Sequence, residues 1–400
     1  MRMKFPISTV LLIVVLGIFA VVLGYNYVWR PFSNQTMVEV QEPEAVASDS
    51  ADLAMDDSAR KWLVSDLTPE QKIGQMLFVP ITLDDTTASL SAVLSETAKL
   101  QPGGYLLFGS DIDAIFAKRS TDEIRQNVEQ GAVPAILAID HEGGTVQRFD
   151  GNGFLSLPSA QALCKLEPAE QDELLAQSAQ ELSLAGIQMV FGPDIDVSSK
   201  SAVLKTRVCS GDPQVVSEYG SRFVSAFTKY GVLPVLKHYP GIGSTTKDLH
   251  ANFDQQIVLS KDVVPFRYIL DQYPQIGVMV SHMGVLNQIP ELPCSQSADC
   301  IDQLRSTNPQ ALIISDSLTM KAAAYDGQAQ EFSKPLETIA LSAVFAGNQM
   351  LVFGPDATPE QLQQVADALV AQYAVDTDFA TKVDAAVARI LDAKEFQIFK

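Results

Sequence analysis

Eight short apolar runs, separated by stretches of helical period, limit what this chain can fold into more than any other feature. They are Met76–Ile81, Gly104–Phe108, Ala135–Ile139, Ile187–Phe191, Leu233–Leu236, Ile276–Val280, Ala311–Ile314 and Met350–Phe353. Each has the length and continuity of a buried strand. Between them lie helical stretches such as Ala169–Leu184, Val215–Tyr230 and Pro335–Ala346. Thr68, Pro69 and Gln71 spell a capped helix start, and Pro359–Lys394 supplies the last helices. This alternation predicts a single (β/α)₈ barrel of the TIM type. No short fixed period is present, so a solenoid is excluded.

In a parallel barrel all strand C-termini lie on one face, and the unusual residues fall at those ends. Asp140, Glu142, Gly143, Gly144 and Arg148 follow the third run, and Asp194 and Asp196 follow the fourth. Lys237 and His238 end the fifth, His282 the sixth and Asp316 the seventh. After Lys237 and His238, the residues Pro240, Gly241 and Gly243 break regular structure, and a loop carries Asp248 and His250 two residues apart. Two of the chain's four histidines therefore lie in one short segment.

A mouth rich in carboxylates, with one Lys, one Arg and few imidazoles, suits sugar chemistry. No HExxH, HxxEH, CxxC, GxSxG or Walker pattern occurs, so neither a metal nor a cofactor is expected. Retaining glycoside hydrolysis needs a carboxylate nucleophile and a group that serves first as acid, then as base. Asp316, at the end of an apolar strand, suits the first role. Asp248 and His250 suit the second, because a carboxylate fixes the imidazole tautomer and stabilises its protonated form. Lys237, Asp140 and Arg148 would hold sugar hydroxyls. Structural alternatives stand beside these: Asp316 as a helix cap, His282 as a satisfied inner residue, His141 as a turn residue facing away, and Asp194 and Asp196 paired with backbone amides.

Net charge is −20, which argues against nucleic acid as a partner. No charged side chain occurs from Phe5 to Trp29, and Arg2 and Lys4 precede that stretch. Residues 1–30 are expected to be a transmembrane anchor, with a cleaved signal segment as the alternative, and the remainder to lie outside the cytoplasm. Residues 31–60 read as an acidic, flexible linker and 61–400 as the barrel domain. Four cysteines allow three connectivities, which the sequence leaves open; Cys294 and Cys300 flank a short polar loop, Cys164 and Cys209 remain as a second candidate pair, and at least one bridge is expected.

Four segments resemble glycoside hydrolase family 3, in its N-acetyl-β-glucosaminidase branch. Lys237–His250 is similar to KH(F/Y)PGHGxxxxDSH, Ile139–Phe149 to DxEGGxVQRF, Phe191–Val197 to FAPVxDV and Ile314–Met320 to SDxLxM. The resemblance implies a retaining enzyme that removes terminal β-linked N-acetylhexosamine from peptidoglycan fragments or chitooligosaccharides. It implies Asp316 as nucleophile, His250 as acid/base with Asp248 as its partner, and Asp140, Arg148, Arg207, Lys237 and His238 as sugar-binding residues. Arg207 is placed through Thr206–Pro213, which resembles GxRSFGxDP with Val208 in place of Ser. Ile242 stands where the family commonly has His, and Leu249 where it has Ser. A β-glucosidase or phosphorylase of the same family is the enzymatic alternative, and an inactive glycan-binding protein the non-enzymatic one. A monomer is expected.

Overall fold

The computed structural model describes residues 61–83, 87–128, 133–286 and 291–398. The expected anchor and linker, 1–30 and 31–60, lie outside the described residues. Among the described residues no helix is long and apolar enough to cross a membrane.

Eight strands form a closed parallel ring: β1 (Leu77–Thr82), β2 (Gly104–Phe108), β3 (Ile136–Gly143), β4 (Met189–Asp194), β5 (Leu233–Tyr239), β6 (Gly277–Val280), β7 (Leu312–Ser317) and β8 (Met350–Val352). Each pairs with the next in sequence, and β8 pairs back onto β1 with Leu77 opposite Leu351, so the ring has no open edge. Besides a single turn at Ala160–Leu163, the α-helices among the described residues are α1 (Pro69–Gln75), α2 (Thr87–Thr97), α3 (Ala114–Val128), α4 (Pro168–Leu184), α5 (Pro213–Lys229), α6 (Ser260–Leu270), α7 (Ala298–Thr307), α8 (Leu336–Ala346), α9 (Pro359–Val375) and α10 (Thr377–Ala393). The expected TIM-type barrel is present.

Local chemistry accounts for the boundaries. Thr68 and Gln71 close a reciprocal capping box on α1, as their spacing predicts. The last helical stretch is two helices because Asp376 stops α9 and accepts from the Asp378 and Phe379 amides to start α10. One difference from the sequence reading matters for the site. Strands β3, β4, β5 and β7 run beyond their apolar runs and take in Asp140, Glu142, Asp194, Lys237, His238 and Asp316. A parallel ladder is made by backbone groups, so it continues where the side chains turn polar.

The main core fills the ring and the space beneath the helices, with Phe78 and Phe191 edge to face at 5.6 Å. A smaller apolar cluster forms separately from Leu204, Val208, Ile242, Leu249, Phe253, Met283, Met320 and Ala322. Of the three connectivities the structure has Cys164 bridged to Cys209 and Cys294 to Cys300. The first ties the segment before α4 to the loop that carries Arg207.

Candidate active site

At the mouth, a cavity of about 540 Å³ is lined by Asp140, Glu142, Arg148, Arg207, Lys237, His238, His250 and Asp316, among others. Every residue given a catalytic or sugar-binding role from the sequence is among its lining residues except Asp248, which reaches it through His250; Asp194, Asp196 and His282 do not line it.

Asp140 and Glu142 sit two apart on β3, so both point into the mouth. Gly143 and Gly144 then adopt φ of +86° and +59°. That turn lets Val146–Gln147 fold back antiparallel on β3, followed at once by Arg148. The Arg148 guanidinium lies 3.6 Å from Asp140 Oδ2 and 5.5 Å from the Phe108 ring centroid.

Glu142 is the hub of the charge network and is only 1 % exposed. Arg207 donates to it twice, from Nε at 2.8 Å and Nη2 at 2.9 Å. Lys237 Nζ lies 2.6 Å from Glu142 Oε1 and donates to Asp140 Oδ1 at 3.0 Å. Burial alone would push the Glu142 carboxyl up; Arg207 and Lys237 outweigh it and hold the group well below the usual carboxylate range. Burial would lower Lys237, but Asp140 and Glu142 raise it, so it stays charged. The network thus presents two fixed cations to the cavity. Glu142 falls at the mouth as its place after the third apolar run predicts, but its role as the shared anion was not expected from the sequence.

His238 lies between Asp196 and Arg207. Its Nδ1 is 2.8 Å from Asp196 Oδ2 and its Nε2 is 3.3 Å from Arg207 Nη2, contacts that fit a neutral ring with the proton on Nδ1. Burial pushes His238 down to about 4 and Asp196 up to about 7. Asp194 accepts from the Asp196 amide and Asp196 from the Ile242 amide, and neither lines the cavity, so the backbone-pairing alternative holds for both. Oxygen and nitrogen atoms of Asp194, Asp196 and His238 lie within 4.8 Å of one another, close enough to hold a cation. Arg207 and the Ile242 amide already engage them, which leaves little room for one.

The remaining histidines divide as their surroundings dictate. His141 is buried, with Nε2 2.7 Å from Ser178 Oγ on α4, facing away from the mouth. His282 Nδ1 is 2.7 Å from Ser295 Oγ and its Nε2 donates to the Ser317 carbonyl at 2.8 Å. It is a satisfied inner residue that fixes the backbone beside Asp316. Asp316 caps no helix; its Oδ1 accepts from the Ser317 amide at 2.7 Å. Burial pushes its carboxyl up, but His282, His238 and the Ser317 amide outweigh that, so it lies below its ordinary value. At neutral pH it is ionised.

The loop after β5 forms a lid in position only, carrying His250 into the lining of the cavity. Gly241 has φ of +126°, and a Cβ there would come within 2.8 Å of Asp262 Cβ. His250 Nδ1 donates to Asp248 Oδ1 at 2.8 Å, and the His250 amide donates to the same oxygen at 3.0 Å. Those two bonds fix the ring and leave Nε2 without a hydrogen bond among the described residues. Burial would push Asp248 up, but the bonds from His250 together outweigh it and lower its carboxyl. The lid is docked: the Lys321 amide donates to the His250 carbonyl at 3.2 Å and the Ala322 amide to the Leu249 carbonyl at 3.1 Å. Leu249, 3 % exposed, and Ile242 sink into the smaller apolar cluster. The two departures from the family pattern therefore act as an apolar anchor under the lid.

Residues 68–393 match the Glycosyl hydrolase family 3 N terminal domain. The chain is 28 % identical over 288 residues to the Beta-hexosaminidase of Idiomarina loihiensis, covering 69 % of this chain and 82 % of that one. It is 31 % identical to the Beta-hexosaminidase of Tolumonas auensis, covering 62 % and 76 %. Among solved structures, the Beta-N-acetylhexosaminidase of Beutenbergia cavernae superposes with a TM-score of 0.73 at 25 % identity, covering 82 % of this chain and 99 % of that one. LpqI of Mycobacterium tuberculosis superposes at 0.68 and 27 % identity, covering 81 % and 93 %. The carboxylates, cations and lid described above thus sit in a barrel whose family is settled: this chain belongs to glycosyl hydrolase family 3.

Proposed function

We propose that the protein is a retaining exo-β-N-acetylhexosaminidase in which Asp316 and His250 perform the two chemical roles. The observation that carries this reading is their convergence: a rigid strand-end carboxylate and a lid imidazole line one cavity. Asp316 would attack the anomeric carbon and form a covalent glycosyl ester. His250, held through Nδ1 by Asp248, would donate a proton from Nε2 to the departing oxygen. It would then take a proton from the water that hydrolyses the ester. Lys237, Arg207, His238, Asp140 and Arg148 would bind hydroxyls and the acetamido group of the terminal sugar. These roles come from the one chain, so the site needs no residue from a second copy.

The relatives' names, Beta-hexosaminidase and Beta-N-acetylhexosaminidase, support a terminal N-acetylhexosamine as substrate. We place the barrel outside the cytoplasm, tethered through residues 1–30. Two disulfides, which persist in oxidising compartments, and the uncharged stretch from Phe5 to Trp29 support that placement. The test is hydrolysis of an aryl N-acetyl-β-glucosaminide beside its glucoside analogue, with Asp316→Ala as control and phosphate in the buffer. Release of free N-acetylglucosamine by the parent alone is expected. Equal rates for both proteins would leave only glycan binding. A preference for the glucoside, or sugar-1-phosphate as product, would favour the other activities of the family.

A further inference from the structure

Next to the lid lies a second pocket of about 480 Å³, to which the catalytic roles above assign nothing. Its walls include Lys247, Asn252, Phe253, Gln255, Tyr325 and Phe332. The same short turn that carries Asp248 and His250 connects Lys247 to Asn252, so the turn borders both cavities. The opposite wall is the hairpin in which Tyr325 pairs with Phe332. That hairpin follows directly on Lys321 and Ala322, the two residues whose amides hold the docked lid.

The pocket is lined by an aromatic cluster whose exposed ring is Phe332, with two primary amides beside it. Phe253 and Tyr325 stack at 3.9 Å between centroids with 11° between their planes. Phe332 leans on Tyr325 at 5.7 Å and is 39 % exposed, with Lys321 Nζ 4.7 Å from its centroid. Aromatic rings stack on the C–H faces of pyranose rings, and primary amides bridge adjacent hydroxyls. The side-chain amides of Asn252 and Gln255 make no hydrogen bond among the described residues. Formal charge is nearly cancelled: Lys247 stands against Asp254, whose carboxylate is taken up by the Thr246, Lys247 and Gln255 amides. Such a surface suits an uncharged glycan better than an anionic ligand.

Direction fixes which part of the substrate would lie there. An acid/base group stands beside the departing oxygen, so the leaving group emerges on the His250 side. The His250 side chain is 72 % exposed, on the turn that borders the second pocket. On the proposed hydrolase reading, we infer that this pocket holds the leaving-group sugars of an extended β-linked N-acetylhexosamine chain. Occupying it would brace the hairpin, and with it the lid in its docked position.

The experiment compares kcat/KM across chitooligosaccharides of two to five units with that for an aryl N-acetyl-β-glucosaminide. It uses the parent, Phe332→Ala and Asn252→Ala. The parent should gain about tenfold between the shortest and longest chains, the effect of one added ring stack. Phe332→Ala should flatten that dependence, Asn252→Ala should reduce it, and both should keep the aryl rate. A parent indifferent to chain length, or a Phe332→Ala variant that keeps the preference, would overturn the inference. A parent inactive on the aryl substrate would sink the hydrolase reading instead. The pocket would then be tested by nuclear magnetic resonance titration of chitopentaose into the parent and Phe332→Ala. Binding lost with Phe332 is expected, and equal binding by the two would overturn it.

Discussion

Replacing Glu142 with Gln should damage stability and activity together, because this side chain is the shared anion for two cations. Its oxygens take Arg207 Nε at 2.8 Å, Arg207 Nη2 at 2.9 Å and Lys237 Nζ at 2.6 Å. Glutamine supplies one acceptor and one donor, so its NH₂ would face a guanidinium or an ammonium. One buried cation would lose its partner, at a cost of about 3–5 kcal/mol. A domain of roughly 330 residues unfolds with an entropy near 0.7 kcal/mol/K, so Tm should fall by about 4–7 °C. Displacement of Arg207 and Lys237 by about an ångström should also cost on the order of 100-fold in kcat/KM. The pH dependence has a definite sign. The folded pKa of Glu142 is depressed, so its contribution is present above the ordinary value of 4.5 and is lost as pH falls toward the folded value. The Tm gap between parent and variant should therefore narrow below that pH. Calorimetry from pH 3 to 8, with steady-state kinetics on an aryl N-acetyl-β-glucosaminide, measures all three effects. A variant that melts within about a degree of the parent at pH 7, with unchanged kcat/KM, would refute the hub.

His250→Ala should slow hydrolysis of chitobiose by about 10²–10⁴, and slow aryl glycosides with good leaving groups far less; equal losses on both would exclude its acid role. Leu249→Ala should loosen the lid rather than the barrel, because about 2–5 kcal/mol of buried contact lies in the small cluster beneath it. Hydrogen exchange at the Lys321 and Ala322 amides should speed up while exchange at β-strand amides stays unchanged, and uniform acceleration would contradict an anchor confined to the lid. Asp248→Asn should lower kcat with little change in KM, since it orients the acid/base imidazole, whereas a change confined to KM would place it among the sugar-binding groups.

The barrel was legible because each of its strands is buried on both faces, which leaves an uninterrupted apolar run in the sequence. The strand ends were less so. Lys237, His238 and Asp316 end apolar runs by composition but belong to the ladder by backbone pairing. Convergence at the mouth followed from topology alone, since parallel strands share one C-terminal face. The role of Glu142 was harder to see, because an anion that binds two cations looks in sequence like any other carboxylate beside a glycine turn. Asp194 and Asp196 show the converse: they have the residue types of a site, yet their oxygens serve backbone amides, His238 and Arg207. Ile242 and Leu249 became intelligible only with the fold, because the cluster that buries them is assembled from four separate stretches of chain.

The most direct test is to trap the glycosyl ester with a slowly turned-over fluorosugar analogue of N-acetylglucosamine and map the labelled peptide by mass spectrometry. The label should sit on Asp316, and the first sugar released from an ordinary β-glycoside should be the β-anomer. A label on another residue, or an α-anomer with no trapped ester, would contradict the assignment of Asp316 as the attacking carboxylate.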